Sequence, residues 1–187
     1  MAKNRYLTAG LACMLACAVT QQACAEPVPS AYKLIASANQ VPATVLYAVA
    51  TQESNRQTKS GRYRPWPWTL NVAGKSYYYN SHQAACTALH IALKVHNTKN
   101  IDVGIAQINI GWNPSAFKTP CDGLDPYVNL NIAAKLLRTH YIKSGDWVTA
   151  TGLYHYPAGG SIAARYQKSV QHHLASLTPE YSHEALK

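Results

Sequence analysis

Pro42-Ala43-Thr44-Val45-Leu46-Tyr47-Ala48-Val49-Ala50-Thr51-Gln52-Glu53-Ser54 is the stretch on which the reading of this chain turns. A proline in the first turn of a helix has no amide hydrogen to lose, so Pro42 opens one. Val45, Leu46, Val49 and Ala50 recur at three- and four-residue spacing, the pattern of a face turned to a core. The next member of that stripe is not apolar: it is Glu53. A carboxyl there is opposed in its charged form twice, by desolvation and by the negative end of the helix dipole. A carboxyl kept protonated near neutral pH is what general acid catalysis requires. The competing reading places Glu53 past the buried part of the helix, pointing to water.

Outward from this helix, Ser30 to Gln40 reads as a short helix with Tyr32, Leu34, Ile35 and Ala38 inward. From Gly61 to Ser81 the character changes. Prolines, Trp66, Trp68 and the run Tyr77-Tyr78-Tyr79 surround a β-hairpin turning near Gly74. Ser81 caps a third helix over roughly 82–96, with Ala85, Leu89, Ile91, Ala92 and Val95 apolar. Residues 102–120 read as loop. Further helices follow at 129–141, 146–154 (capped by Asp146) and 162–177. Trp112 and Trp147 read as core. The fold class is α+β, mostly α, with one small β-hairpin.

Bulk properties place the chain. Lys3 and Arg5, the apolar run Leu7–Val19 and the small residues Ala23 and Ala25 make residues 1–25 a secretory leader, cleaved after Ala25. Residues 26–177 are then one domain, 178–187 a loose tail, and the expected location is the periplasm. Three of five cysteines fall in the leader, and Cys86 and Cys121 remain as an even pair in an oxidising compartment. A bridge between them would add about 3–4 kcal/mol, the alternative being two buried thiols. Seventeen Lys and Arg stand against eight Asp and Glu, net +9, and without Lys3 and Arg5 the domain carries +7. That charge suits an anionic polymer or membrane face, but the cations form no run that would mark a nucleic-acid site.

Four segments then occur in order. They are Gln52-Glu53-Ser54 at a helix end, Gly104-Ile105-Ala106-Gln107-Ile108-Asn109, Asn129-Leu130-Asn131 on a helix, and Ala150-Thr151-Gly152-Leu153-Tyr154. With this spacing the chain resembles the lytic transglycosylases that carry a soluble-lytic-transglycosylase-type, lysozyme-like domain. Within that family it is most similar to the small members associated with conjugation and secretion machines. Pro65 to Val72 shares that subgroup's aromatic character.

The resemblance covers most of residues 30–170, and it implies roles. Glu53 would be the acid, then the base. Ser54 would position the Glu53 carboxyl or a substrate amide, Gln107 would bind an acetamido group, and Asn109 would line the groove. Tyr154 would orient Glu53, with Tyr156 as rival. The chain departs from the family pattern at Ile105 and Ala106, in place of Leu and Met, and at His155, where Asn often follows the tyrosine.

Most glycosidases use two carboxylates. Here the other acids lie near the termini, beside Cys121 or at the Asp146 cap, which leaves Asp102 as the one candidate for a second group or a loop brace. One carboxyl suffices if the acetamido oxygen and the 6-hydroxyl of the substrate sugar do the rest, giving a 1,6-anhydro product. The expected partners are the glycan strands of peptidoglycan and components of a secretion or conjugation apparatus. No nucleic acid, metal or cofactor is expected, the eight histidines being too scattered for a zinc signature. The alternatives are a hydrolytic muramidase using Asp102 and a glycan-binding scaffold without activity. The hairpin aromatics read either as a sugar-stacking surface or as core. His155 reads either as a group tuning Glu53 or as a solvent-facing side chain.

Overall fold

The computed structural model describes residues 26–177, so the expected leader and tail lie outside the described residues. Among the described residues six α-helices run in the order α1 (Ser30–Ala38), α2 (Ala43–Ser54), α3 (His82–Val95), α4 (Pro126–Ser144), α5 (Trp147–His155) and α6 (Gly160–Ala175). Helix α2 lies at the centre, with α1, α4, α5 and α6 packed round it. Every residue from Thr44 to Ala50 is buried. A helix apolar on one stripe needs one neighbour, whereas α2 is enclosed, so the stripe was the visible part of a wholly buried element.

The caps set where the helices begin. Ser81 accepts from the Ala84 amide to start α3, and Asp146 accepts from the Thr149 amide to start α5. Helix α4 begins three residues before the expected Asn129. Asp125 accepts from the amides of Tyr127 and Val128, and Pro126 takes the first helical position. Gly145, at φ 71°, ends α4 in the left-handed conformation and lets α5 fold back.

The sheet exceeds the single hairpin expected. Strands β3 (Thr69–Val72) and β4 (Lys75–Tyr78) form that hairpin, turning at Ala73-Gly74. The segment read as loop supplies β5 (Ile101–Val103) and β6 (Ile108–Asn109), giving an antiparallel order β4-β3-β5-β6. A separate ribbon pairs β1 (Asn55–Gln57) with β2 (Tyr63–Pro65). Leu70, Ile101 and Val103 of the sheet pack on Ala85 and Leu89 of α3 as a second core. Strands of two or three residues carry too little alternation to be seen in sequence.

Cys86 on α3 and Cys121, in a 3₁₀ turn at Pro120–Leu124, are bridged, with 5.3 Å between their Cα atoms. His90 Nε2 lies 3.4 Å from Cys121 Sγ, but both sulfurs are used by the bridge. Several side chains read as inward face water. Leu34 and Ala38 are exposed, with Ala36 buried instead. Ile91 and Val95 are exposed because α3 rests on only one narrow face, formed by Ala85, Leu89 and Ala92. Trp147 is core, whereas Trp112 is 68% exposed.

The turn between β5 and β6 is where the two halves of the domain meet. Gly104, at φ +83°, has its α-carbon so close to Gly123 and Asn129 that an added Cβ would sit 2.2 Å from the Gly123 oxygen. Ser54 donates to the Ile105 carbonyl at 2.6 Å, and Tyr154 donates to the Ala106 carbonyl at 2.5 Å. Asn129, fully buried, accepts from the Ala106 amide and donates to the carbonyls of Val103 and Gly123, each at 2.8 Å. Asn129→Leu keeps the branched shape but strands one amide and two carbonyls. It should cost about 3 kcal/mol or more and lower Tm by roughly 10 °C, read by thermal unfolding.

Candidate active site

Glu53, Asp102, Gln107, Asn109 and Tyr154 all line one cavity of about 690 Å³. They arrive from α2, β5, the turn after it, β6 and α5. Leu136 and His140 of α4 line it as well, with Tyr156 and Pro157.

The Glu53 side chain is only 15% exposed and lines this cavity. Tyr166 of α6 donates its hydroxyl to Glu53 Oε1 at 2.6 Å. His155 lies parallel on the Tyr166 ring, 4.4 Å between centroids, with Nδ1 3.9 Å from the same carboxylate oxygen. Burial pushes the Glu53 carboxyl up to about 8. The Tyr166 hydrogen bond opposes this rise, and the charge of Asp102 adds to it. Desolvation lowers His155, so around neutral pH this contact is between a carboxylic acid and a neutral imidazole. Burial also raises Asp102, against a hydrogen bond from Asn109 Nδ2 at 2.7 Å.

Three expectations change here. Ser54 is fully buried, and its hydroxyl accepts from the Trp66 amide as well as donating to Ile105. It therefore builds the frame behind the cavity, and touches neither the Glu53 carboxyl nor the groove. Tyr154 faces the cavity but spends its hydroxyl on Ala106. The tyrosine bonded to Glu53 is neither Tyr154 nor Tyr156 but Tyr166. A trace of it lay in the sequence, since Ala163, Tyr166 and Val170 follow the three- and four-residue spacing of the buried face of α6.

The hairpin aromatics are absent from the lining of this cavity. Trp66 donates its indole N–H to the Tyr79 carbonyl at 2.6 Å and is covered by the Arg56 guanidinium at 4.6 Å. The tryptophan that reaches the cavity is Trp112, alongside Tyr154 and Tyr156.

Gln107 holds φ +49°, a left-handed conformation that is strained for a residue with a side chain. Its Nε2 donates to the carbonyls of Gly104 (2.7 Å) and Thr69 (3.2 Å), which fixes the amide plane at the cavity wall. Asn109 is held similarly, donating to Asp102 and to the Lys99 carbonyl while accepting from the Trp112 amide.

A neutral buried acid in a roomy cleft is suited to protonating a leaving oxygen. The family comparison agrees. The transglycosylase SLT domain matches residues 31–177. The chain belongs to this family. It is accordingly an enzyme of the lytic transglycosylase class, acting on peptidoglycan. No curated protein and no solved structure gave a match.

Because the folded Glu53 holds its proton more tightly than an unfolded glutamate, the stability this gives is complete below about pH 4.5 and is lost as pH rises through about 8. Glu53→Gln should therefore unfold at a higher temperature than the parent at pH 9, with the gap closing by pH 4.5 in thermal scans. Activity of the parent should decline above about pH 8. Tyr166→Phe removes the bond that holds Glu53 down. It should move that decline to higher pH while cutting the rate at pH 6 roughly tenfold, seen in a pH–rate profile.

Proposed function

We propose that this enzyme cleaves the β-1,4 bond between N-acetylmuramic acid and N-acetylglucosamine, leaving 1,6-anhydro-muramic ends. The observation that carries the reading is the buried Glu53 carboxyl, raised to about 8, in a cleft large enough for sugar rings. Glu53 would give its proton to the leaving O4. The acetamido oxygen of the muramic acid would stabilise the positive charge at C1. The Glu53 carboxylate would then take the proton of the 6-hydroxyl as that oxygen attacks C1, so no water is consumed. Gln107, with its Nε2 engaged by the protein, would offer Oε1 to an acetamide N–H. Asn109 would hold Asp102 and the cavity edge in register.

Residues 1–25 would direct the chain to the periplasm, where it would be released by cleavage and would open the wall locally for a secretion, pilus or conjugation apparatus. The leader composition and the Cys86–Cys121 bridge support an exported chain.

A second reading has an observation of its own. Asp102 lines the same cavity as Glu53 and could position a water, which would make the enzyme a hydrolytic muramidase. Mass spectrometry of digested sacculi separates these. Anhydro ends from the parent, none from Glu53→Gln, and anhydro ends still formed by Asp102→Asn fit the proposal. Reducing ends that vanish in Asp102→Asn would establish hydrolysis instead.

A further inference from the structure

Trp112 is an unusual residue to leave in water. It is 68% exposed, yet it lines the catalytic cavity and is rigidly seated. Its amide donates to Asn109 Oδ1 at 2.9 Å, and Asn109 in turn donates to the Lys99 carbonyl at 2.9 Å. The preceding Gly111 donates to the Thr98 carbonyl at 3.1 Å, and a Cβ at Gly111 would fall 2.4 Å from the Lys99 amide nitrogen. The segments on either side of β5 and β6 are thereby locked together at the cavity rim. The lock brings the Lys99 ammonium 4.1 Å from the Trp112 ring centroid. Among the described residues no carboxylate is paired with Lys99, while Asp102 nearby is engaged by Asn109. The result is an exposed aromatic ring, seated by its backbone, with a cation over it.

A large apolar ring held exposed at the rim of a binding cleft is a recognition element, because its burial by ligand returns free energy that its exposure costs. The C–H-rich face of a pyranose fits a flat indole. The cation asks for an anion attached to that sugar, and muramic acid carries one through the acidic peptide on its lactyl ether. We propose that Trp112 and Lys99 form a subsite that stacks a muramic acid ring and pairs with the carboxylates of its stem peptide. The subsite makes peptide-bearing strands the preferred substrate. This rests on peptidoglycan being the substrate, and it goes beyond the identity of the bond cleaved.

The test uses two forms of one preparation, intact sacculi and sacculi whose stem-peptide carboxylates have been converted to neutral amides by carbodiimide coupling to ammonia. The full-length enzyme is compared with Trp112→Ala, Trp112→Phe, Lys99→Gln and Lys99→Arg. Initial rates of fragment release are measured, and binding by cosedimentation is measured in a Glu53→Gln background. Trp112→Ala should raise KM roughly tenfold on both substrates with kcat nearly unchanged, and Trp112→Phe should recover part of the loss. Lys99→Gln should weaken intact sacculi roughly threefold at low salt and leave amidated sacculi unaffected. Lys99→Arg should behave as the parent, and high salt should erase the Lys99 difference.

Equal effects of Lys99→Gln on both substrates would overturn the carboxylate contact. An unchanged KM and unchanged binding in Trp112→Ala would overturn the subsite. If the parent cuts neither substrate, the proposed reaction fails. Cosedimentation then still decides the subsite by the same differences.

Discussion

The turn from Gly104 to Gln107 is the constraint on which the domain depends. It is four residues long, includes two backbone conformations with positive φ, and lies between the helical core and the sheet. Such a turn does not hold its shape alone. Ser54 from α2, Asn129 from α4 and Tyr154 from α5 each take one of its backbone groups, and the Thr69 carbonyl of β3 accepts from the Gly104 amide. The four sequence segments that mark the family are thus the four ends of one hydrogen-bonded hub. Each bond is largely buried, so each is costly to leave unmade, and the strain at Gln107 persists because its surroundings over-determine it.

The hub has a chemical consequence. It seats Gln107 on one wall of the cavity and leads into β6, which brings Asn109 and then Trp112 to the rim. On the opposite side α2 delivers Glu53 at the point where the buried stripe runs into the cavity. The acid is not isolated in apolar surroundings. Tyr166 holds it, and His155 stacks on Tyr166, so its geometry is fixed by a third helix. Desolvation still outweighs the tyrosine's hydrogen bond, and the net result is a proton retained near neutral pH.

Helices and their caps were legible because their signals are local: Ser81, Asp146 and the apolar stripes act within a few residues. The placement of Glu53 on the inner stripe of α2 was legible for the same reason. The partners of Glu53 were not, since Tyr166 lies 113 residues away and shares no local pattern with it. Ser54 shows the limit from the other side. Its position next to the acid suggested chemistry, but consecutive helical residues point about 100° apart, and Ser54 faces the turn while Glu53 faces the cavity. Trp112 was read as core because size and apolarity favour burial, and nothing local reveals that Lys99 and Asn109 hold it outward.

By itself the sequence determined the central helix, the carboxyl at the end of its buried stripe, the mostly helical class and the cysteine pair, each from short-range spacing and composition. Tertiary structure decided which tyrosine holds the acid, which polar residues are frame and which line the cleft, and which tryptophan reaches the cavity. Those outcomes depend on the rotation of packed elements about one another. A buried hydrogen bond between residues far apart in the chain leaves no period in the sequence from which it could be read.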